Sequence, residues 1–266
     1  MELNDTQKIR YERNYLLKEI GIEGQKKLLS SSVLVIGAGA IGGAALMYLA
    51  AAGVGTLGVS DFDTVELTNL QRQIIHTTEH VGMSKLVSAQ KRIHAINPDI
   101  KVIPVEEKMC VHNISDTIAS YDFILDCTDR FSSKFLINDA CVLAAKPYCH
   151  AGVVRFGGQV MTYVPKQGPC LRCLLEEVPS PEDAPLAASV GVLGSATGII
   201  GSIQATEAIK YLLGIGKLLT GRLLQIDTLD MHFHEIKIGS RNPACGVCGE
   251  HPRIRSLIDN AGEYLI

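Results

Sequence analysis

The stretch "SSVLVIGAGAIGGAALMYLAAAG", Ser31 to Gly53, predicts a buried strand, a tight turn and a helix in succession. Its glycines have the spacing Gly-x-Gly-x-x-Gly: Gly37 supplies the tight turn, Gly39 lets the backbone approach a phosphate, and Gly42 lets the helix pack on the strand. The N-terminus of the helix would then face an anion. The stretch therefore predicts the first strand and helix of a nucleotide-binding fold; the alternative is a turn that serves packing alone.

Strands and helices alternate around this stretch up to about residue 150, which is typical of a parallel sheet with right-handed crossovers. Beyond Pro147, closely spaced strands replace that alternation, without a linker or a shift in composition. We expect one α/β domain over 1–266, in which a Rossmann-like nucleotide-binding half over about 1–150 continues into one large mixed β-sheet over about 151–266. The predicted helices cover about 4–30, 83–97, 111–119, 131–145 and 194–213, and a Pro-rich loop covers 176–190.

The composition excludes several classes of protein. The 266 residues are 47% hydrophobic, with a net charge of -3 and a pI near 6.2. No Lys/Arg-rich run provides the basic face that binding to nucleic acid requires. Two stretches of about 20 residues lack charges, but glycines interrupt both, so we expect no membrane span. The N-terminal residues lack the features of a signal peptide, and we expect a cytosolic, cytoplasmic protein.

A second stretch, "DFDTVELTNLQRQIIH", begins at Asp61 and narrows the choice of nucleotide. Asp61 ends the next strand, where a carboxylate accepts hydrogen bonds from ribose hydroxyls. Arg72 and, further on, Lys85 are cations that can flank a triphosphate. Asn69 and Gln73 can hold sugar or phosphate oxygens. The glycine turn alone leaves NAD, FAD and ATP open, but this set favours ATP.

Asp129, in "LDCTDRF", ends a further strand, at the sheet edge where ligands of open α/β sheets bind. A carboxylate there can hold Mg²⁺. His150, in "YCHAGVV", could line the same site, but we expect it to be a core histidine whose polar atoms are satisfied. Each of these residues alone could be an ordinary surface or core residue, so the prediction depends on their meeting at one edge.

Two Cys-x-x-Cys pairs predict a metal centre. Four thiolates, from Cys170, Cys173, Cys245 and Cys248, would make a closed tetrahedral zinc (Zn²⁺) site. The site would pin the C-terminal segment to the body of the fold. The alternative is two unrelated redox pairs or spare thiols. The other four cysteines, in or beside apolar elements, are expected to be small core residues.

The sequence resembles the MoeB/ThiF/HesA family of E1-like adenylyltransferases over nearly its whole length. The most specific motif is "NLQRQ", together with the paired Cys-x-x-Cys sequences. Further segments that carry the resemblance are "RYERNYLLKEIG", "VLVIGAGAIG", "VGMSKL", "INPD", "DCTDRF", "NDAC", "GPCLRC", "GVLG", "GSIQATEAIKYLLG" and "CGVCG".

The resemblance implies that ATP adenylates the C-terminal glycine carboxylate of a ubiquitin-like sulfur carrier protein, ThiS-like or MoaD-like and ending in Gly-Gly. By the same resemblance, Asp61 binds the ribose and Asp129 holds Mg²⁺. Asn69, Arg72 and Lys85 contact the phosphates. Arg13, in "RYER", matches the arginine that such homodimers supply to the ATP of the partner subunit. Residues 151–266 would then be the carrier-binding and zinc half. The implied catalytic residues are Arg13, Arg72, Lys85 and Asp129.

Three departures from the family bear on mechanism. Ala187, in "APLAASVGVLG", stands where many members have a cysteine, which puts covalent sulfur transfer at this position in doubt. Arg130 replaces an asparagine, and Asn14 replaces a glutamine. A separate sulfurtransferase or cysteine desulfurase is therefore a candidate partner. The pathway, thiamine or molybdopterin biosynthesis or another, stays open.

Two other functions remain as alternatives. A non-catalytic scaffold that binds a carrier is suggested by Ala187 alone. An NAD-dependent oxidoreductase would explain the glycine turn, but it leaves Arg72, Lys85 and the cysteine pairs without a role. For the C-terminal "RIRSLIDNAGEYLI" we expect a cap on the zinc-binding part rather than a carrier-docking segment.

Overall fold

One eight-stranded sheet runs through the computed structural model, which describes residues 2–180 and 187–264, with residues 187 and 188 as backbone only. The strands are β1 (Ser32–Ile36), β2 (Thr56–Ser60), β3 (Lys101–Val105), β4 (Phe123–Asp126), β5 (Tyr148–Val154), β6 (Gly157–Tyr163), β7 (Arg222–Asp227) and β8 (His232–Lys237). Their order in the sheet is β3-β2-β1-β4-β5-β6-β7-β8.

The sheet is parallel in its first half and antiparallel in its second. Strands β3, β2, β1, β4 and β5 pair in parallel, because helical crossovers connect them. Strands β5 to β8 pair antiparallel. The predicted α/β fold with one mixed sheet is confirmed. The extension of the nucleotide-binding half into the same sheet follows from the direct pairing of β5 with both β4 and β6.

The register aligns the carboxyl ends of the central strands. Ile36 at the end of β1 pairs with Ser60 of β2 and with Asp126 of β4, and Asp126 pairs with His150 of β5. The residues that follow these positions therefore emerge at one edge of the sheet, as the sequence predicted. This edge carries the candidate site.

Helices cover both faces of the sheet. One core cluster joins helices α3, α4, α5 and α9 to the sheet, and the other joins α6, α7 and the cysteine-rich segment to the opposite face. The helices are α1 (Asp5–Arg10), α2 (Glu12–Tyr15), α3 (Gly21–Ser30), α4 (Ala40–Ala52), α5 (Lys85–Ile96), α6 (Ile114–Ala119), α7 (Phe131–Leu143), α8 (Ala187–Val190) and α9 (Gly194–Leu213).

The predicted helical start over about 4–30 is helical, but it is divided among three helices. Gly21 has a φ of 60°, a left-handed conformation that a continuous right-handed helix cannot contain. Tyr11, between α1 and α2, is buried, and its hydroxyl accepts a hydrogen bond from Nδ2 of Asn97 at 2.8 Å. The start of the chain is thus fixed by a tertiary contact that helical periodicity does not reveal. The predicted loop over 176–190 ends in the short α8; residues 181–186 lie outside the described residues.

Among the residues that the structure describes, no helix combines the length and the apolar character needed to cross a bilayer.

Candidate active site and candidate metal centre

A cleft of about 990 Å³ lies at the carboxyl edge of the sheet. Its walls come from the turns after β1, β2 and β4, from the N-terminus of α5, and from the surfaces of β5 to β8. The sequence-predicted residues that line it are Gly37, Gly39, Asp61, Arg72, Gln73, Lys85 and Asp129.

The glycine turn forms the floor of the cleft beside the N-terminus of α4. Gly37 has a φ of 100°, and a Cβ atom there would lie 2.8 Å from the carbonyl oxygen of Cys127. A Cβ atom on Gly42 would lie 1.8 Å from the oxygen of Gly37, so this glycine serves packing, as predicted. Gly39 precedes α4 and provides no side-chain cap. The backbone N–H groups at this helix end are therefore directed toward a ligand in the cleft.

The acids after β2 fix the geometry beside this turn. Oδ2 of Asp61 accepts a hydrogen bond from the backbone N–H of Ala38 at 2.8 Å, and Oδ1 accepts one from that of Asp63 at 2.9 Å. Asp63, the second acid, in turn pairs with Nζ of Lys85 at 2.9 Å. Lys85 is buried at the start of α5, and its ammonium group is held at the cleft wall.

The segment after β2 contributes two more side chains. Arg72 lines the cleft while Nη1 donates to the carbonyl of Thr68 at 3.0 Å. Gln73 is buried, and its Oε1 has no hydrogen-bond partner among the described residues. Such an orphaned oxygen beside a cleft favours a bound ligand that supplies the missing donor.

Asn69 differs from the other predicted residues. It is buried in the short 3-10 helix Leu67–Asn69, where its Oδ1 accepts from the backbone N–H of Glu66 at 3.2 Å. It is not one of the described residues that line the cleft. In this structure the asparagine shapes the segment that carries Arg72 and Gln73.

Asp129 lies three residues beyond β4 with an exposed carboxylate, and the described residues offer it no hydrogen bond or ion pair. A carboxylate at the cleft wall that is not engaged by the protein is a suitable ligand for a hydrated Mg²⁺. The unusual Arg130 also lines the cleft, next to this carboxylate.

The sequence did not predict a buried cluster of charged residues around Asp126, three residues before Asp129. Asp126, fully buried at the end of β4, contacts Nζ of Lys134 at 3.3 Å and Nδ1 of His150 at 3.0 Å. Burial alone would raise the pKa of Asp126, but Lys134, His150 and a hydrogen bond from Thr128 lower it to about 2. Burial lowers the pKa of His150. The prediction that His150 is fully satisfied is wrong, because its Nε2 has no partner among the described residues.

The four predicted cysteines converge into one cluster. Their sulfur atoms all lie within 4.8 Å of one another. The Cys170–Cys245 sulfurs are 3.7 Å apart, the Cys173–Cys248 sulfurs 3.4 Å and the Cys170–Cys173 sulfurs 4.0 Å. Four sulfurs bound to zinc at about 2.3 Å in a tetrahedron would be separated by about 3.8 Å. The donor set and its spacing therefore fit zinc.

The C-terminal segment docks beside this cluster. Arg172, between two of the cysteines, pairs with Asp139 and also with Glu263 at 2.8 Å. The hydroxyl of Tyr264 donates to Asp139 at 2.6 Å. These contacts agree with the predicted cap on the zinc-binding part of the fold.

Arg13 is exposed on α2 and does not line the cleft of its own chain, as far as the described residues show. Its predicted role therefore requires a second subunit. Ala187 begins α8, and its side chain lies outside the described part.

Several known proteins are similar to this chain in sequence. Residues 11–247 match the ThiF family. The chain is 46% identical over 250 residues to the SAMP-activating enzyme E1 of Haloferax volcanii, covering 94% of this chain and 92% of the relative. It is 43% identical over 255 residues to the sulfur carrier protein adenylyltransferase of Thermus thermophilus, covering 94% of each.

This chain spans only part of the length of a third relative. The adenylyltransferase and sulfurtransferase MOCS3 of Aedes aegypti is 41% identical over 258 residues, which are 97% of this chain but 59% of MOCS3. Among solved structures, that of Escherichia coli MccB with ATP superimposes with a TM-score of 0.77 at 25% identity, covering 92% of this chain and 75% of MccB. The names of the relatives agree with the predicted enzyme class, adenylyltransferases of sulfur carrier proteins.

Proposed function

This chain belongs to the ThiF family, and we propose that it uses ATP to adenylate the C-terminal glycine carboxylate of a ubiquitin-like sulfur carrier protein. The observation that carries the proposal is the lining of one cleft, which includes the glycine turn before α4, the cations Arg72 and Lys85, and the carboxylate of Asp129, which has no partner among the described residues. No side chain of the cleft needs to act as a nucleophile, because the substrate carboxylate is itself the attacking group.

The positions of the side chains suggest how ATP lies in the cleft. The phosphates sit on the backbone N–H groups before α4, with Arg72 and Lys85 on either side. The ribose lies at the end of β2, where Asp61 accepts its hydroxyls; the two N–H donors to Asp61 keep this carboxylate oriented. Gln73 offers its orphaned Oε1 to a hydroxyl or a metal-bound water.

The reaction then needs alignment and neutralisation of charge. An oxygen of the glycine carboxylate attacks the α-phosphorus, and a new P–O bond forms while the bond from this phosphorus to the bridging oxygen breaks. Pyrophosphate leaves with the electron pair, and the products are an acyl-adenylate and pyrophosphate. Arg72 and Lys85 offset the repulsion between the two anions, and their fixed positions favour in-line attack.

Asp129 is the residue that we propose to hold Mg²⁺, which neutralises charge on the phosphates when it is bound. Cys170, Cys173, Cys245 and Cys248 are proposed to hold a structural zinc ion. A closed set of four thiolates leaves no open position for a substrate, so its role is to join the C-terminal segment to the rest of the fold.

We also propose a homodimer with composite sites. Exposed apolar side chains lie close to Arg13 in the sequence: Ile9 of α1 is 81% exposed, and Leu16 and Leu17, just after α2, are 59% and 54% exposed. Such exposed apolar side chains favour burial against another protein surface. A second copy seated there would bring Arg13 toward the cleft of its partner.

The sulfur step is proposed to need another protein. With alanine at position 187, this chain lacks the cysteine that its family resemblance associates with covalent sulfur transfer. A persulfide on a sulfurtransferase or cysteine desulfurase would then displace AMP from the acyl-adenylate and form an acyl disulfide. A second thiol would cleave this acyl disulfide, releasing the carrier thiocarboxylate and leaving a disulfide between the two thiol sulfurs. The longer relative from Aedes aegypti is named for both activities, adenylyltransferase and sulfurtransferase. Its name agrees with a sulfur step that follows adenylation and belongs to a separate activity.

The test is carrier-dependent exchange of pyrophosphate into ATP, with ThiS-like and MoaD-like carriers that end in Gly-Gly. We expect exchange with one of them, and a loss of at least about a hundredfold in Arg72→Ala, as for removal of a residue that stabilises transition-state charge. Arg92→Ala is the matched control, because Arg92 is an exposed arginine on α5 outside the cleft.

Exchange would also identify the carrier. Absence of exchange with every carrier of this kind, in a folded protein that binds ATP, would contradict the proposal and leave the non-catalytic scaffold. Tight binding of NADH in place of ATP would support the oxidoreductase.

A further inference from the structure

One of the residues that line the cleft has a buried ring nitrogen without a partner. His150 is 1% exposed and belongs to the lining of the cleft, and its Nε2 has no hydrogen bond among the described residues. Leaving a buried polar atom unpaired costs about 1–3 kcal/mol. A bound molecule that pairs with Nε2 would recover this energy.

The neighbouring acid determines which proton the ring carries. Asp126 accepts hydrogen bonds from the N–H and hydroxyl groups of Thr128 and contacts the ammonium group of Lys134, so its carboxylate is an acceptor on all sides. Nδ1 of His150, 3.0 Å away, must therefore be the protonated nitrogen that donates to it. In the neutral ring, which burial favours, Nε2 carries a lone pair that no described residue pairs with. It accepts a hydrogen bond and offers none.

Few groups of the reactants can donate to this lone pair. Phosphate oxygens and the carrier carboxylate are acceptors. The ribose hydroxyls and the adenine amino group are donors, but Asp61 holds the ribose at the end of β2, three strand spacings from β5, or about 14 Å. In the proposed pose the adenine lies on the side of the ribose away from the phosphates. The remaining donor of the reacting molecules at this end is the amide N–H of the terminal glycine, one atom away from the carbon that bears the carboxylate.

The surface next to His150 suits an extended peptide. The cleft continues over Gly152 of β5 and Gly157 of β6, two positions without a side chain, beside Gln159, which pairs with Gly152. A Cβ atom on Gly152 would have only the Cγ of Gln159 within 4 Å. A chain of two glycines can lie flat on this surface and direct its last amide toward the ring.

We propose that Nε2 of His150 accepts a hydrogen bond from the amide N–H of the carrier's terminal glycine and thereby positions the carboxylate for attack. The inference rests on the proposed function. His150 is then a substrate-binding residue that contacts the backbone of the carrier tail, whereas Arg72 and Lys85 neutralise the negative charge of the reactants.

The test replaces one N–H group of the substrate by an oxygen atom. A carrier made by semisynthesis, with glycolate in place of the terminal glycine, keeps the carboxylate and the chain length but replaces the N–H by an ester oxygen. With the carrier that supports pyrophosphate exchange, we expect this change to raise the carrier KM about threefold to tenfold in the wild-type enzyme, as for the loss of one hydrogen bond. The KM for ATP should stay the same.

The comparison of the two carriers is repeated with the His150→Asn enzyme, which completes a double-mutant cycle. The Asn amide can keep the hydrogen bond to Asp126 but lacks the atom at the Nε2 position, so glycine-ended and glycolate-ended carriers should have KM values within about twofold of each other. His150→Gln, whose longer side chain can place an amide oxygen near Nε2, should retain the difference.

Two results would overturn the inference: no KM difference between the carriers in the wild-type enzyme, or an undiminished difference in His150→Asn, as expected if Nε2 binds only a water. The first comparison needs no variant and so does not depend on how the variants fold. Failure of the wild-type enzyme to exchange pyrophosphate with the natural carrier would contradict the proposed function itself.

Discussion

The guanidinium of Arg172 donates from Nε and Nη2 to the carboxylate of Asp139, at 2.9 and 2.8 Å, and both side chains are buried. The pair joins α7 to the segment between Cys170 and Cys173. Asp139→Asn would leave the buried cation with only the more exposed Glu263 as its counter-charge, and we expect the free energy of unfolding to fall by at most about 3–5 kcal/mol. Urea unfolding of the two proteins measures the difference.

A surface ion pair provides the control for this substitution. Glu235, 41% exposed at its side chain, pairs with Arg222 at 2.7 Å on the outer strands. Glu235→Gln should change the free energy of unfolding by no more than about 1 kcal/mol, because solvent screens exposed pairs. If Asp139→Asn and Glu235→Gln lowered the free energy of unfolding equally, burial would not be what makes the Arg172–Asp139 pair matter to stability.

The cysteine cluster leads to a prediction about metal content. We expect about one zinc per chain in the purified protein, and none in Cys173→Ser, because three thiolates and a hydroxyl do not close the site. Loss of the metal should also expose residues 240–254 to proteolysis, since Cys245 and Cys248 tie this segment down. Elemental analysis and limited proteolysis provide the two measurements.

Cys110→Ser is the control, because Cys110 lies outside the cluster. It should keep the zinc and the resistance to proteolysis. A wild-type protein that is purified under reducing conditions without zinc, or a Cys173→Ser variant that retains it, would refute the site.

Two glycines of α9 differ in what surrounds them. A Cβ atom on Gly201 would lie 2.3 Å from the carbonyl oxygen of Ile41 in α4, whereas one on Gly198 would have no atom within 4 Å. Gly201→Ala must push α9 away from α4, and we expect a loss of about 1–3 kcal/mol in the free energy of unfolding. Gly198→Ala should be neutral or should stabilise by up to about 1 kcal/mol, since alanine favours helix.

Thermal unfolding of both variants tests the close approach of these helices. The two substitutions add the same methyl group to the same helix, so helix propensity alone predicts the same effect for both. Equal stabilities would contradict the packing of α4 on α9.

The sequence predicted the features of the fold that depend on local patterns. Gly37 and Gly42 have the conformational and packing roles that their spacing indicated, and Arg72, Lys85 and Asp129 meet at one edge because parallel strands end there. These predictions need only the direction of each strand and the order of elements.

The features that the sequence did not predict depend on tertiary neighbours. The pairing of Lys134 with Asp126 brings two charged residues into the interior, and no periodicity distinguishes a lysine that is buried with a partner from one in solvent. Asn69 has a residue type that suits phosphates, yet its Oδ1 caps a local turn. A polar residue in a motif can thus serve the shape of the loop that carries the motif.

His76 predicts a pH dependence of stability. It is 5% exposed; Nε2 lies 3.0 Å from the carbonyl oxygen of Ala38 and Nδ1 lies 2.7 Å from Oγ of Ser88. Burial lowers its pKa to about 4. Between that value and about 6.5, the unfolded chain binds a proton that the folded chain does not, so stability falls as the pH falls through this window.

The size of this effect is at most about 3 kcal/mol, at about 1.4 kcal/mol per pKa unit. Urea unfolding at several pH values between 7.5 and 5 should show a smaller dependence on pH in His76→Gln than in the wild type. His150, whose pKa is also lowered, adds to the pH dependence of stability in the same direction. The pH dependence should therefore not vanish in His76→Gln. His251→Gln, at an exposed histidine, is the control and should leave the dependence as it is. An unchanged slope in His76→Gln would contradict the neutral, buried state of this ring.

Arg13 provides a test of the composite site that needs no structure of the dimer. The variants Arg13→Ala and Arg72→Ala should each lack pyrophosphate exchange. If the arginine of one subunit completes the cleft of the other, a mixed dimer has one cleft in which both arginines are present. Mixing equal amounts under conditions that exchange subunits makes half of the dimers mixed, so activity should return to about a quarter of the wild-type value. If Arg13 acted within its own chain, every cleft in the mixture would lack one arginine and no activity would return.

Mixing Arg72→Ala with Lys85→Ala is the control. Both residues line the same cleft of one chain, so each cleft of a mixed dimer still lacks one of them, and activity should not return.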